Sequence, residues 1–326
     1  MNERYRIAVL SGGDTPEREI SLETGAAVAE ALRIAGHEVD HRVLDTVADV
    51  LVMNDLVEAD VVFPALHGGA GEDGRLQAVL DLMGAVYALS GPTASGLAMD
   101  KAGCKRMMRG AGIPTADWLL FCDDGCTGGR RKDAPHFPIE ELTKRIDEEL
   151  GWPVVIKPNH DGSSVGVRLL QGVADVPAAF AEVAAMGQAV LVERYVPGRE
   201  LTASILLGRR LPLIEIRPRE GFYDFANKYT TGACEYLCPA PVHSPIYERI
   251  SDDALRLYDL LGCRGVARVD FRLDGDTYCC LEINTIPGMT ANSLVPKAAA
   301  AVGITFGEML TDVCRDAVRR SVRNRT

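Results

Sequence analysis

Residues 268–290 carry two carboxylates, an amide and a guanidinium at the spacing of β-strands. Residues 268–273 alternate charged and apolar types, so Arg268, Asp270 and Arg272 share one face of a strand. Asp274-Gly275-Asp276 reads as a turn, with glycine free to take φ > 0. Residues 278–284 form the return strand, and Glu282 and Asn284 share a face by the same period of two. Pairing the two strands would set Asp270, Glu282 and Asn284 side by side. Two carboxylates and an amide oxygen, without His or Cys, make a hard oxygen site suited to Mg²⁺ held jointly with substrate phosphates. Arg268 adds a cation where phosphoryl or oxyanion charge would develop. The pattern also fits an amphipathic hairpin with a solvated charged face.

Other residues could do chemistry at the ends of strands. Residues 152–158 read as a buried strand ending in Lys157, followed by a Gly/Ser loop from Asn159 to Val167. Lysine supplies charge there and glycine lets backbone N–H groups approach phosphate oxygens, although a simple hairpin loop also fits. The Gly-x-x-x-x-Gly-Lys-Ser/Thr phosphate loop does not occur, so a nucleotide would need another architecture. Glu17 follows a first strand (6–10) and a Gly-rich turn, just before a helix expected over 21–35. It could complement the helix dipole or capture a substrate ammonium. His67 opens a loop after a third strand (60–66); Gly69, Gly71 and Gly74 in that loop match a dinucleotide fingerprint. A loop shaped to hold His67 fits equally well, because His67, Glu72 and Asp73 are polar groups that a pyrophosphate cradle does not need.

These loops need elements to position them. Strands are expected at 37–43, 189–192, 201–207 and 211–216, and helices at 75–83, 94–110, 140–150, 173–186 and 246–261. Lys101 and Lys105 fall one turn apart on a helix. Residues 90–93 read as loop, 121–137 as an exposed excursion, and the polar-aromatic stretch 221–232 as a lid. At 326 residues the chain suits two or three domains. A net charge of −11, with no Lys/Arg cluster beyond a short tail, argues against nucleic-acid binding. Nine scattered cysteines without Cys-x-x-Cys suit reduced thiols in a cytosolic protein better than a disulfide framework or a zinc site. Neither a signal-peptide pattern nor an apolar run near 18 residues is present, so no membrane association is expected.

In this order, Gly-Gly-Asp-Thr-Pro-Glu-Arg-Glu-Ile-Ser-Leu (12–22), Ala-Leu-His-Gly with Gly-Glu-Asp-Gly (65–74), and Met-Asp-Lys (99–101) resemble the N-terminal motifs of the D-alanine–D-alanine ligases of the ATP-grasp superfamily. Lys-Pro-x-x-x-Gly-Ser-Ser-Val-Gly (157–166), Phe-Tyr-Asp-Phe with Lys-Tyr (222–229), Arg-Val-Asp-Phe (268–271) and Leu-Glu-Ile-Asn-Thr-Ile-Pro-Gly-Met-Thr (281–290) resemble the rest. The resemblance implies an α/β chain of three domains: a Rossmann-like parallel sheet over 1–95, and two ATP-grasp subdomains over 96–187 and 188–326. It implies that Lys101, Lys157 and Ser163 bind ATP, that Glu193 and the backbone near Val196 hold the adenine, Glu200 the ribose, and that Lys228 reaches the γ-phosphate. Asp270, Glu282 and Asn284 would hold two Mg²⁺ (or Mn²⁺) ions. Glu17, linked to Ser163 and Tyr229, would bind the ammonium of a first D-alanine beside His67. Arg268 and the N–H of Gly288 would form an oxyanion hole, and Ser293 and Leu294 would bind the carboxylate of a second D-alanine. A cytoplasmic homodimer is also implied.

Ile286 stands where the family usually has a small residue, and would either narrow the second-substrate pocket or face the core. Three other readings stay open: a ligase using D-lactate or D-serine, which Tyr229 argues against for the lactate case; an NAD-dependent oxidoreductase using Gly69–Gly74; and a non-catalytic nucleotide-binding regulator.

Overall fold

The computed structural model describes residues 3–121, 138–162, 166–218, 234–291 and 293–325. Ser163, Lys228 and Tyr229, the whole of the expected lid at 221–232 and nearly all of the 121–137 excursion lie outside the described residues.

The first layer is β1 (Arg6–Gly12), α1 (Arg18–Ile34), β2 (Glu38–Leu44) and β3 (Val61–Pro64), a parallel sheet in the order β2-β1-β3. β1 is buried from Ile7 to Gly12, as a strand covered on both faces must be. α1 ends against Gly36 at φ +97°, as expected, but begins at Arg18 rather than near residue 21. The turn in which Arg18 N–H donates to Thr15 O at 3.1 Å starts it early and puts Glu17 at the helix entrance. After β3 come a single helical turn, α2 (Gly69–Glu72), then α3 (Arg75–Met83), α4 (Pro92–Met99) and α5 (Lys101–Gly110). The sequence pattern merged the last two into one helix. Asp100, at ψ 89°, breaks them apart and caps α5 by accepting from Gly103 N–H at 3.0 Å. Pro92, expected in a loop, instead opens α4, where its fixed φ suits the first turn.

The second layer contains β4 (Trp118–Phe121), α6 (Ile139–Arg145), β5 (Val154–Pro158), β6 (Arg168–Leu170), α7 (Val176–Ala184) and β7 (Val190–Arg194), with antiparallel strands in the order β4-β7-β5-β6. Its sheet takes in β7 and so runs past residue 187. Leu119, Leu142, Ile146, Val154, Ile156, Val183 and Val192 form its own core.

The third layer contains β8 (Arg199–Leu206), β9 (Arg209–Arg210), β10 (Ile214–Pro218), β11 (Cys234–Leu237), α8 (Ser244–Leu261), β12 (Val266–Asp274), β13 (Thr277–Asn284), α9 (Leu294–Ala300) and α10 (Phe306–Arg325). The antiparallel order is β11-β10-β8-β12-β13, with β9 added on β8. Leu201, Ala203, Ile205, Val269, Phe271 and Ile283 face α8 through Ile250, Ala254 and Leu257. Strand alternation turns Glu200, Thr202, Arg268, Asp270 and Arg272 to the opposite face. α10 returns to the first layer, where Met309, Leu310 and Val313 pack with Val28, Leu32 and Phe63.

Gly198 makes the sharp turn between β7 and β8 at φ +97°, and a Cβ there would meet Leu273 O at 2.2 Å. Gly198→Ala therefore combines left-handed strain with a backbone clash. The expected loss is about 2 kcal/mol or more, read as a lower urea midpoint at unchanged slope.

Candidate active site

β12 and β13 pair in the register Arg268↔Asn284 and Asp270↔Glu282, and a bulge after Asp270 shifts the pairing to Phe271↔Cys280. The residues picked out for a metal thus lie on one face. Arg268 grips Asp270 with two nitrogens, Nε to Oδ1 and Nη2 to Oδ2, each at 2.9 Å. The Thr202 hydroxyl donates to Asp270 Oδ1 at 2.7 Å, and the Ile286 N–H to Asn284 Oδ1 at 2.8 Å. Among the described residues no set of three or more His, Cys, Asp or Glu could hold a metal. The trio here reaches three hard donors only by including an amide oxygen. That donor set, carboxylate and amide oxygens without nitrogen or sulfur, fits Mg²⁺ or Mn²⁺ shared with phosphates.

Lysines approach this hairpin from other elements. Lys157, at the end of β5, pairs with Glu193 Oε2 at 2.8 Å, and Lys105 of α5 lies 3.1 Å from Glu193 Oε1. Glu193 sits in β7, opposite Val155 and diagonal to Lys157, so the pair follows from strand register. Burial disfavours the Glu193 charge, but Lys105 and Lys157 outweigh it and hold its pKa below the usual carboxylate value. Burial also works against Lys157, yet Glu193 and Glu282 raise its pKa on balance. Lys101, at the start of α5, donates to Asp161 O. Burial pushes its pKa below the ordinary lysine value, only partly countered by Glu282. Lys105 was visible in sequence only as a residue one turn from Lys101; its buried contact with Glu193 gave no sequence signal.

A narrow slot of about 100 Å³ runs between the second and third layers, lined by Val155, Val167, Tyr195, Val196 and Leu281 with Lys157, Glu193 and Glu200. Arg272 closes one end, donating to Val196 O at 3.2 Å and to Glu200 Oε2 at 3.3 Å. Flat apolar walls with acceptors at the rim suit a purine base and its sugar.

A broader cavity of about 560 Å³ lies on the other side of Lys101 and Glu282. Glu17 and His67 border it from the first layer, Arg268 and Asn284 from the third, Gly288 and Ser293 from the turn before α9, and Leu294 from the start of that helix. Gly68 takes φ +72°, and a Cβ there would stand 2.5 Å from Glu17 Oε2, so the glycine makes room for that carboxylate. His67 is held at both nitrogens, Nδ1 at 3.2 Å from Glu72 Oε1 and Nε2 at 3.0 Å from the Thr24 hydroxyl. A carboxylate only accepts, so Nδ1 donates to Glu72, while the Thr24 hydroxyl can either donate to Nε2 or accept from it. The glycines of this loop serve that arrangement: α2 begins at Gly69 itself, where a dinucleotide loop would still be open. Ser293 Oγ donates or accepts at 2.9 Å with Thr290 Oγ1 and receives Thr290 N–H at 3.1 Å. Ile286 is 2% exposed and packs with Met289 and Val295 in the core, which resolves its role in favour of the core.

Two family models match, D-ala D-ala ligase N-terminus over residues 40–90 and D-ala D-ala ligase C-terminus over 107–315. The chain belongs to the D-alanine–D-alanine ligase family. It is 39% identical to a D-alanine–D-alanine ligase of Syntrophotalea carbinolica, over 98% of both chains, and 41% identical to one of Bordetella avium, over 97% of this chain and 96% of that one. Among solved structures it is similar to the Bacillus anthracis D-alanine–D-alanine ligase complexed with ATP, with a TM-score of 0.82, 30% identity and 99% coverage of both chains. It is also similar to the VanG D-Ala:D-Ser ligase of Enterococcus faecalis, with a TM-score of 0.79, 26% identity, and coverage of 97% of this chain and all of that one. The mixed α/β architecture is the ATP-grasp fold of these ligases, and the oxidoreductase and regulator alternatives fall with that membership.

The lowered pKa of Lys101 fixes a pH dependence for this ligase-family site. As pH rises through that pKa, Lys101 loses its charge before an ordinary lysine would, and any attraction it offers an anion goes with it. From about pH 7 to about pH 10, kcat/KM for ATP should fall on an alkaline limb beginning below the ordinary lysine range, and Lys101→Arg should flatten the limb because guanidinium stays charged.

Proposed function

We propose that the chain joins two D-alanine molecules into D-alanyl-D-alanine at the expense of ATP, through an acyl phosphate, and so supplies a peptidoglycan precursor. The observation that carries this is the junction of the two cavities, where Lys101, Asp161, Gly162 and Glu282 line both a base-sized slot and a broad polar chamber. A phosphoryl group passing from one to the other would cross that wall.

ATP lies with its adenine in the slot near Glu193 and Val196 and its ribose at Glu200. Its phosphates extend toward Lys101, Lys157 and, beyond the described residues, Ser163 and Lys228. Asp270, Glu282 and Asn284 would hold two Mg²⁺ or Mn²⁺ ions, which when bound offset the negative charge on the phosphates. Glu17 takes the ammonium of the first D-alanine, so that its carboxylate points at the junction and attacks the γ-phosphorus. His67, held by Glu72 and Thr24, walls that subsite. Ser163 and Tyr229 complete the Glu17 end. The second D-alanine places its carboxylate at Ser293 and the N–H of Leu294, and its amine attacks the acyl carbon. The oxyanion that forms is met by Arg268, which exchanges its grip on Asp270 for the new charge, and by Gly288 N–H. Phosphate leaves, giving the dipeptide and ADP. Positioning and electrostatics carry the rate.

The division into 1–95, 96–187 and 188–326 is retained as a proposal; β7 pairs in the sheet of the second unit and α10 packs against the first. No helix among the described residues is long and apolar enough to cross a membrane. A cytoplasmic homodimer that binds neither nucleic acid nor membrane completes the proposal. D-serine at the second subsite is the alternative, favoured by the likeness to VanG.

Purified protein with ATP and Mg²⁺ should release ADP with D-alanine and not with L-alanine, and the product should have the mass of the dipeptide; a mixed product when D-serine is added would shift the assignment of the second subsite. Arg268→Met should lower kcat on the order of 10²–10³-fold while the affinity for nucleotide stays near wild type. Single-turnover kinetics alongside nucleotide titration separates the two.

A further inference from the structure

One buried cation has no part in the chemistry above. Lys105 is fully buried, at 0% exposure, one turn beyond Lys101 on α5. Its ammonium donates to the Thr115 hydroxyl at 2.8 Å and to Ala116 O at 3.4 Å, and lies 3.1 Å from Glu193 Oε1. The Thr115 hydroxyl in turn donates to Cys280 O on β13 at 2.9 Å. Lys105 borders neither cavity, whereas Glu193 and Lys157 line the slot. The single Glu193 carboxylate is therefore divided between two ammonium groups, with Lys157 on Oε2 at the slot and Lys105 on Oε1 behind it.

That division matters for charge. A carboxylate facing Lys157 alone would form a closed pair and cancel most of the field that Lys157 presents to the slot. Two ammonium groups on one carboxylate leave a positive charge in excess. The burial of all three groups keeps that excess from being screened by water or salt. An anion lying along the slot can collect the attraction; a neutral molecule cannot.

We propose that Lys105 is a positioning residue for the phosphates of the nucleotide: it draws Glu193 toward itself, so that Lys157 is only half-compensated and stays available to the phosphate chain. This rests on the reading of the slot as an ATP site. Lys105 acts through Glu193 and Lys157 and touches no substrate. A purely structural role would weaken every ligand of the slot alike, whereas the electrostatic role weakens each in proportion to its phosphate charge.

The test is direct calorimetric titration of the full-length protein with adenosine, AMP, ADP and ATP, at fixed Mg²⁺ and without D-alanine, comparing wild type with Lys105→Met and Lys105→Arg. For Lys105→Met the loss should grow with each phosphate, from little for adenosine to on the order of tenfold for ATP, the size of one charge-assisted contact. Lys105→Arg should restore most of the ATP affinity. The steady-state counterpart is a raised KM for ATP with KM for D-alanine unchanged. Equal loss across the series, or no loss, overturns the proposal. If Lys105→Met does not fold, Thr115→Val removes one anchor of the ammonium; a smaller loss graded in the same way supports the proposal and a uniform change overturns it. A wild-type protein that binds none of the four overturns the ATP reading itself, an outcome distinct from either result with the variants.

Discussion

Asp270 stands directly across from Glu282 on neighbouring strands, and like charges in that position repel. Much of the rest of the molecule serves to make this pairing tolerable. Arg268, two residues along the same strand, grips Asp270 with both arms of its guanidinium, and Thr202 supports it from β8. Glu282 is felt by Lys101 and Lys157, which arrive from α5 and β5. The apolar side of the sheet leaves no freedom to relieve the repulsion by slipping register, because a one-residue shift would turn Val269, Phe271 and Ile283 away from α8 and expose them. Two carboxylates are thus held together against their preference, with cations around them.

The apolar cores follow the layers. Leu119, Ile156 and Val192 pack within the second layer, and Ala203, Val269 and Leu257 within the third. What crosses the cleft is largely polar: Lys105 to Glu193, Arg272 to Val196 O, and Thr115 to Cys280 O. Interfaces between units that are joined by polar contacts resist relative motion less than shared apolar cores do. The cleft is thus bridged without the apolar core of either layer crossing it. The first layer is attached differently. α10 crosses back to pack with α1, so the two ends of the chain close around one core.

The face-sharing of Asp270, Glu282 and Asn284 was readable from a period of two, because strand alternation needs only sequence spacing. The existence and type of the longer elements were readable on the same ground. Three things were not. Asp100 ends one helix and caps the next, and a helical periodicity that continues through the break conceals it; the clue was an Asp three residues before the Gly103 N–H it caps. β4 and β6 are too short to show a period and take their identity from the strands beside them. Lys105 and Glu193 lie 88 positions apart, and no local pattern reports a contact that depends on how α5 packs against β7. Ile286 looked ambiguous for a related reason, since a residue next to a Pro-Gly turn can face either way until the neighbouring α9 packs against it.

The two cavities meet at Lys101, Asp161, Gly162 and Glu282, and this sharing limits where the reaction can happen. The slot accommodates a flat base but not an amino acid with room to turn. The chamber accommodates two small zwitterions, and its walls carry an anion at Glu17, a cation at Arg268 and polar groups at Ser293, in that spread. Glu17 borders the chamber alone, whereas Lys157 and Glu193 border the slot alone, so the shared wall is the one place where the two sets of groups adjoin. Lys101 stands in both cavities, held by Asp161 O on the loop that follows Lys157. Burial disfavours the Lys101 charge, and Glu282 on the same wall only partly counters it. The wall shared by the two cavities thus carries one buried cation and one carboxylate side by side.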